Sequence, residues 1–348
     1  MKAAAFGAAL LLAAGPQWTS QTSGVRATLR GVSAVSDTEA WASGSGDTVL
    51  HTIDAGATWT KVTVASDGLD FRDIDAIDHA TVYALSIGNG PKSRIYRTTD
   101  AGATWTRQFV GEDPKLFLDA MTFADARHGV VIGDSIDGHF TVLRTEDGGA
   151  HWTPVPAEAL PAAQPDEGAF AASGTNVAMW GTHVWIGTGA APRARVLRSS
   201  DGGTTWAIAD TPLASGASSG IFSVAFRDAD HGVIVGGDYN KVNEAVNNVA
   251  VTSDGGVTWK LVTEHGVSGF RSAVAYVPHA AAPTLVAVGP QGADWSTDDG
   301  RTWTPIDGPG FHTFSLSPSG RVGFGAGGRG AVGRLVMTPA LAPGRAGR

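Results

Sequence analysis

Three arginines and a group of carboxylates stand near the beginnings of segments that recur along this chain. Arg30, Arg72 and Arg271 share one column when the segments are aligned, and the acids near the same starts are Asp73, Asp119 and Glu167. A guanidinium binds a carboxylate through two parallel hydrogen bonds. Carboxylates at suitable separations carry out the acid–base chemistry of glycosidic bond cleavage. The column therefore indicates an anion-binding site, a hydrolytic site, or ion pairs that hold a scaffold in register.

Loops farther along the segments add polar and aromatic candidates. Asp134 and Asp137 lie in one such loop, and Asp238 and Tyr239 lie in another. His312 falls in the arginine column, where it and Tyr239 would supply hydrogen bonds or stacking. The predicted ligand-binding residues are Arg30, Arg72, Asp73, Asp119, Glu167, Asp238, Tyr239, Arg271 and His312.

No metal, cofactor or nucleotide site is predicted. His128, His139 and His151 are too irregularly spaced for a zinc signature, and the chain has no cysteine. The glycine-rich stretch at 235–239 follows neither a Rossmann nor a P-loop pattern, and no Gly-x-Ser-x-Gly elbow is present. The formal net charge is −8 and no basic tract is present, which argues against a nucleic-acid partner.

The elements that must position these residues are marked by a short repeat, Asp-x-Gly-x-Thr-Trp in its commonest form. An aspartate can accept backbone N–H groups inside its own turn, glycine supplies a positive φ, and tryptophan places a large apolar ring between neighbouring sheets. We therefore expect a structural role for the repeated residues. They are Asp54, Asp100, Asp147, Asp201, Asp254 and Asp298, with Trp59, Trp105, Trp152, Trp206, Trp259 and Trp303.

Between these turns the chain contains about four short strands per unit, the size of one propeller blade. Three further strands follow the last repeat, at 313–316, 322–324 and 332–337. The missing fourth strand is predicted at 17–20, where Trp18 matches the tryptophan of a repeat. The sequence therefore predicts an all-β fold: a seven-bladed β-propeller of four-stranded antiparallel blades over residues 16–338, closed by the N-terminal strand. Residues 339–348 are expected to form a flexible tail.

In a four-stranded meander, the turns between third and fourth strands lie on one face. The starts of the first strands and the loops between second and third strands lie on the other. The repeated turns are therefore expected on one face, and the arginine column on the opposite face. Loops on that face ring the axial pocket, a usual place for ligands.

The N-terminus predicts export. Lys2 precedes an apolar run at residues 3–14, which is too short for a stable membrane span and about right for a signal-peptide core. Pro16 makes the cleavage site a poor one. We expect a signal peptide over residues 1–15 and a periplasmic or secreted protein.

The repeat resembles the Asp-box, or BNR repeat, Ser/Thr-x-Asp-x-Gly-x-Thr-Trp. The whole chain resembles the bacterial relatives of the photosystem II stability and assembly factor, within the sialidase-like superfamily of propellers. That resemblance implies a seven-bladed fold and is weak for function. The Phe-Arg-Ile-Pro motif of sialidases is absent, since the matching stretch is Leu29-Arg30-Gly31-Val32. Xyloglucan-type endoglucanases pair two propellers, and this chain has length for one.

Three functions remain open from the sequence. The first is an exported binding or assembly protein that holds a peptide, protein or glycan ligand on the face opposite the repeated turns. The second is a sialidase-like or endoglucanase-like glycoside hydrolase that uses two carboxylates on the same face. Its candidates are Asp73, Asp119, Asp134, Glu167 and Asp238. The third is a purely structural interaction module.

Overall fold

Seven four-stranded antiparallel sheets make up the computed structural model, which describes residues 15–337. The predicted fold class is confirmed: the sheets are propeller blades with almost no helix. The predicted tail at 339–348 lies outside the described residues, as does the predicted signal peptide at 1–15 apart from Gly15. The three helical segments within residues 15–337 are single 3₁₀ turns, and none is long and apolar enough to cross a membrane.

The first strand, β1 (Gln17–Thr22), belongs to the last blade, and blades one to three follow it in chain order. Blade one contains β2 (Leu29–Ala34), β3 (Ala40–Gly44), β4 (Thr48–Thr52) and β5 (Thr60–Val62). Blade two contains β6 (Asp70–Ala76), β7 (Val82–Ile87), β8 (Arg94–Thr98) and β9 (Thr106–Val110). Blade three contains β10 (Leu118–Phe123), β11 (Gly129–Ile136), β12 (His139–Thr145) and β13 (Thr153–Pro154).

The remaining blades repeat this order. Blade four contains β14 (Val177–Trp180), β15 (His183–Gly187), β16 (Arg195–Ser199) and β17 (Ala207–Asp210). Blade five contains β18 (Ser219–Phe226), β19 (Gly232–Asp238), β20 (Val249–Thr252) and β21 (Lys260–Leu261). Blade six contains β22 (Ala273–Tyr276), β23 (Leu285–Gly289), β24 (Gly292–Ser296) and β25 (Thr304–Ile306). Blade seven contains β26 (Thr313–Leu316), β27 (Val322–Ala326) and β28 (Ala331–Val336), with β1 as its fourth strand.

Both ends of the chain close the ring, as the sequence predicts. β1 pairs antiparallel with β28 over six residue pairs, and Trp18 lies opposite Leu335. The Trp18 ring packs 4.6 Å from the ring of Phe311, centroid to centroid. This pairing covers the outer edge of β28, which would otherwise be free to pair with another chain.

The repeated turns join the third and fourth strands of blades one to six. In the first, the Asp54 carboxylate accepts the backbone N–H and the hydroxyl of Thr58, at 2.9 and 2.6 Å, and the hydroxyl of Thr52 at 2.9 Å. Gly56 adopts φ 82°, which a side chain would disfavour. In the second turn, hydrogen bonds from Thr104 lower the pKa of Asp100 to about 2. The aspartates are thus hydrogen-bonded within their own turns.

Side-chain oxygens on the first strands connect neighbouring blades. The Asp73 carboxylate accepts the N–H of Met121 at 2.7 Å, which joins blade two to blade three. Hydroxyls do the same elsewhere: Ser33 accepts the N–H of Ala76 at 3.0 Å. Because inner-strand N–H groups that face the next blade would otherwise be unpaired, these bonds satisfy buried donors and fix blade register.

One stretch of blade four departs from the repeat and lies across the axis. We call residues 169–175, which precede β14, the axial segment. Their backbone N–H and carbonyl groups and their hydroxyls contact the first strands, or the residues just before them, in the other six blades. The axial-segment partners are Arg30, Arg72, Asp119, Ser223, Ser272 and Thr313. The axial channel is therefore divided by the protein's own chain into two cavities, one towards each face.

Candidate ligand pocket on the first-strand face

A cavity of about 580 Å³ lies at the end of the channel where the first strands begin, opposite the repeated turns. Its base is formed by residues 169–172 of the axial segment. Its charged and polar lining consists of Arg30, Arg72, Asp119, Asp134, Tyr239, Ser272 and His312. Its apolar lining includes the rings of Phe117, Phe170, Phe222 and Phe270. A volume of this size is in the range of small-molecule sites, which span roughly 300–1,000 Å³.

Blades one and two contribute a cationic side. Arg72 donates to Asp70 at 2.9 Å and to the carbonyl of Ala171 at 2.8 Å. Arg30 has a single hydrogen bond at 3.4 Å, to the carbonyl of Ala172, and its Nε has no partner. Within residues 15–337 no carboxylate lies within ion-pair distance of Arg30. Burial and the neighbouring Arg72 charge lower the pKa of Arg30 to about 10, so it stays protonated at neutral pH.

His312 lies beside the two arginines and is uncharged at neutral pH. Burial, with the positive charge of Arg30 as the next cause, lowers the pKa of His312 to about 4. Its Nδ1 lies 3.3 Å from the carbonyl of Leu29. The ring therefore offers a neutral hydrogen-bonding group and no further positive charge.

Blade three contributes two acids to the same cavity. Asp119 is 1% exposed, and its Oδ2 has no hydrogen-bond partner. Burial raises the pKa of Asp119 well above its usual range, and the charge of Asp134 adds to this effect. Asp134 is less buried, and desolvation raises its pKa to about 6. Both carboxyls thus occupy surroundings that disfavour their ionised form.

Aromatic rings cover the remaining wall. Phe170 of the axial segment stacks on Phe222 with centroids 4.0 Å apart and ring planes 8° from parallel. Phe270 meets Phe222 edge to face at 4.6 Å. The ring of Tyr239 lies 6.1 Å from that of Phe222 and is 46% exposed at the rim. This wall offers stacking surface to a ligand that enters from the first-strand face.

Arg271 does not belong to the cavity, contrary to the expectation that three arginines converge there. It is 2% exposed and pairs with Asp294 of β24, with 2.6 Å between Nε and Oδ2. It also donates to Ser268 at 2.6 Å and to the carbonyl of Phe270 at 2.8 Å. The side chain turns into blade six because a buried acid of the same blade neutralises it there.

Three of the predicted acids also have other surroundings. Asp73 lines the second cavity, about 360 Å³ on the far side of the axial segment. Glu167 is 1% exposed and accepts hydrogen bonds from Arg195, Thr188 and the N–H of Gln164. Asp238 accepts the N–H of Asn240 and the hydroxyl of Ser218, which lower its pKa. Each of these carboxylates is hydrogen-bonded within the scaffold.

The structure thus brings together Arg30, Arg72, Asp119, Tyr239 and His312 of the predicted ligand-binding residues. Sequence reasoning missed Asp70, which pairs with Arg72, and the phenylalanines of the wall. It also missed the axial segment, although a signal was present: the start of blade four aligns less cleanly with the arginine column than the starts of the other blades. Within residues 15–337, no three His, Asp or Glu side chains are grouped so that they could hold a metal ion.

No protein-family model matches the chain, and no curated protein matches it either. Solved structures do match. "YCF48 bound to D1 peptide" is 18% identical over 92% of this chain and 97% of that one, with a TM-score of 0.64. Streptogramin B lyase is 11% identical over 93% and 98%, with a TM-score of 0.65.

A third match is the GH74 xyloglucanase of Xanthomonas campestris, 19% identical over 94% of this chain with a TM-score of 0.64. This chain spans 55% of that enzyme's length. These three matches, a peptide-bound YCF48, a streptogramin B lyase and a xyloglucanase, share this architecture with the chain at identities below 20%. What the likeness shows is therefore that the chain has the β-propeller fold.

Proposed function

We propose that this protein is an exported binding protein that captures a carboxylate-bearing peptide in the cavity on the first-strand face. The proposal rests on the surroundings of the Arg30 guanidinium. This guanidinium lies beside a second arginine and retains an unpartnered Nε next to the cavity, and no acid among residues 15–337 is within ion-pair distance of it. Buried or half-buried charges are normally paired, so an anionic ligand is the missing partner.

The surroundings of Arg30 favour a ligand with an apolar part. Arg72 keeps Asp70 as a partner, so the two arginines and one acid leave a net positive charge on that side. Across the cavity, the Phe222 wall offers contact area to a hydrophobic side chain. A peptide C-terminus combines a carboxylate with such a side chain.

Further support is indirect. One matching structure is YCF48 bound to D1 peptide, and the repeats resemble those of an assembly-factor family. Export is inferred from the apolar run at residues 3–14 alone. Under this proposal the repeated turns build the scaffold and take no part in binding.

Glycoside hydrolysis is less well supported by the cavity. Both common mechanisms require two carboxyl groups that reach the glycosidic bond, at separations of roughly 5–5.5 Å or 6.5–9.5 Å. Of the five acids considered, Asp134 alone combines partial exposure with a place in the cavity, since Asp119 is 1% exposed. A purely structural module is less well supported, because Arg30 lines an open cavity and has no ion-pair partner among residues 15–337.

The test is binding of a peptide library with free C-terminal carboxylates, compared with the same peptides as C-terminal amides. We expect amidation to weaken binding at least ten-fold, and the double change Arg30→Gln with Arg72→Gln to do the same at an unchanged melting temperature. Arg193→Gln with Arg301→Gln is the matched control, because both side chains are exposed outside the cavity. Equal binding of acids and amides would refute the proposal, and preferential binding of uronic-acid oligosaccharides would assign the site to an acidic glycan.

A further inference from the structure

The acids of blade three face a cavity that already holds positive charge on its other side. Asp119 is only 1% exposed, and its Oδ2 has no hydrogen-bond partner. Asp134 lines the same cavity and is partly exposed. Both carboxyls receive one backbone N–H from the axial segment, of Ala171 and Ala169 respectively. One N–H each leaves most of their accepting capacity unused.

This arrangement is costly without a partner. A buried carboxyl that lacks donors or a cation is destabilised, and two neighbouring carboxyls disfavour each other's ionisation. Within residues 15–337 no lysine, arginine or histidine forms an ion pair with Asp119 or Asp134. Two other buried acids of the protein have a cation: Glu167 pairs with Arg195, and Asp294 pairs with Arg271. Asp119 and Asp134 have no such cation, and unlike the buried Asp73 they line the cavity that contains the arginines.

We propose that the ligand of this cavity is a compact zwitterion whose carboxylate is bound by Arg30 and Arg72, whose ammonium group is bound by Asp134 and Asp119, and whose apolar group packs on the aromatic wall. An aromatic α-amino acid is the smallest molecule with all three groups. The inference rests on the proposed function, because it uses the same arginines for the carboxylate.

The shape of the cavity favours a small ligand of this kind. The axial segment closes its base, so an extended chain cannot pass through the ring. The cationic side comes from blades one and two, the acids from blade three, and the rings chiefly from blades four to six. The cationic, acidic and aromatic surfaces of this one cavity match the carboxylate, the ammonium group and the apolar group of one ligand. Molecules that lack any of these groups should bind more weakly.

The experiment is isothermal titration calorimetry with four probes. They are L-phenylalanine, L-alanyl-L-phenylalanine, N-acetyl-L-phenylalanine and phenethylamine. We expect one or both zwitterions to bind at least ten-fold more tightly than the acetylated acid and the amine. If N-acetyl-L-phenylalanine binds as tightly as the zwitterions and Arg72→Gln abolishes this binding, carboxylate capture stands and the zwitterion inference is wrong. Binding of none of the four probes, in a protein that still prefers peptide acids to amides, also overturns it.

A pair of variants isolates the acid. Asp134→Asn should weaken binding of the tighter zwitterion at least ten-fold and leave binding of N-acetyl-L-phenylalanine unchanged or stronger. Asp137→Asn is the matched control from the next stretch of chain, since its carboxylate is exposed and pairs with Lys115 outside the cavity. A melting temperature within a few degrees of the parent verifies folding of both. Equal losses for the zwitterion and the acetylated acid would refute a role for Asp134 in binding the ammonium group.

Discussion

Identical residues in one sequence column have different roles in this propeller. Arg30 and Arg72 reach the cavity, whereas Arg271 is buried against Asp294. The difference depends on which acid is within reach: Arg72 pairs with Asp70 of its own strand, β6, whereas the partner of Arg271 lies on β24. The alignment of strand starts predicts the backbone position of each arginine. The partners that surround it in the fold determine where its guanidinium group lies.

The two kinds of arginine should respond differently to neutralisation. Arg271→Gln leaves the buried Asp294 carboxylate without its cation, so we expect a loss of about 3–5 kcal/mol in the free energy of unfolding. Arg72→Gln breaks a partly exposed pair and should cost about 1 kcal/mol or less. Urea denaturation of both variants measures the difference, and equal costs would contradict the assignment of Arg271 to the scaffold.

The repeated turns were predictable because their physics is local. Asp54, Gly56 and Thr58 lie within five residues of one another, and the hydrogen bonds among them follow from residue type. The site was less predictable. Asp70 is two residues from Arg72, and the alignment by strand starts passed over it. Phe170 reaches the wall through a segment that has no counterpart in the other blades.

At the scale of elements, the axial segment depends on a glycine that leaves no space for a side chain. Gly174 has φ 75°, and a Cβ there would lie 2.1 Å from the Asp73 carboxylate. Gly24 has the same φ, with nothing within 4 Å of the added atom. The two positions therefore separate backbone strain from steric overlap.

We expect Gly24→Ala to cost about 1–2 kcal/mol, the usual penalty for a left-handed residue with a side chain. Gly174→Ala should cost at least about 1 kcal/mol more, because a buried carboxylate and its bond to Met121 must move. Chemical denaturation of the two variants gives the comparison. If they are equally stable, the axial segment is not packed tightly against blade two.

The N-terminal strand is the second element with a testable role. Deleting residues 16–22 removes β1 together with Trp18, exposes the edge of β28 and uncovers Phe311. We expect a fall of ten degrees or more in melting temperature, with concentration-dependent aggregation from the open edge. A control with Gln17→Ala and Thr19→Ala keeps the strand and changes exposed side chains only, so its melting temperature should stay near that of the parent.

At the scale of the whole molecule, buried acids around the axis make stability depend on pH. Desolvation raises the pKa of Asp75 and Asp134 to about 6, and it raises the pKa values of Asp73 and Asp119 well above their usual range. An acid whose pKa is higher in the folded state binds protons more tightly there. The free energy of unfolding therefore falls as pH rises from about 4 through about 6.

We expect the urea midpoint to decline over that range. Asp75→Asn should reduce the accompanying fall in the free energy of unfolding by about 2 kcal/mol, since each pKa unit corresponds to about 1.4 kcal/mol. Asp307→Asn, at an exposed position, should leave the profile unchanged. Below about pH 4 the trend should reverse, because the pKa values of the turn aspartates, such as Asp100, are lowered. A profile that rises from pH 4 to pH 7 would be the opposite of this expectation.

The propeller fold could be predicted from the sequence because the repeats are visible in the sequence itself, without knowledge of which residues are in contact. Turns such as that at Asp54 mark six blades, and the strands left over at both ends, including that of Trp18, complete the seventh. The chemistry at the axis did not follow to the same degree. It depends on how seven blades converge, and on side chains such as Glu167 whose partners lie elsewhere in the chain.

The axial segment also constrains the order in which the molecule folds. It comes from the middle of the chain and contacts the first strands, or the residues just before them, in the other six blades. We expect the blades to assemble around it, with the docking of Trp18 opposite Leu335 as the last step. That final step brings together residues far apart in sequence and is entropically slow. A ring that shut with the segment outside would be a kinetic trap, which only reopening at β1 and β28 would release.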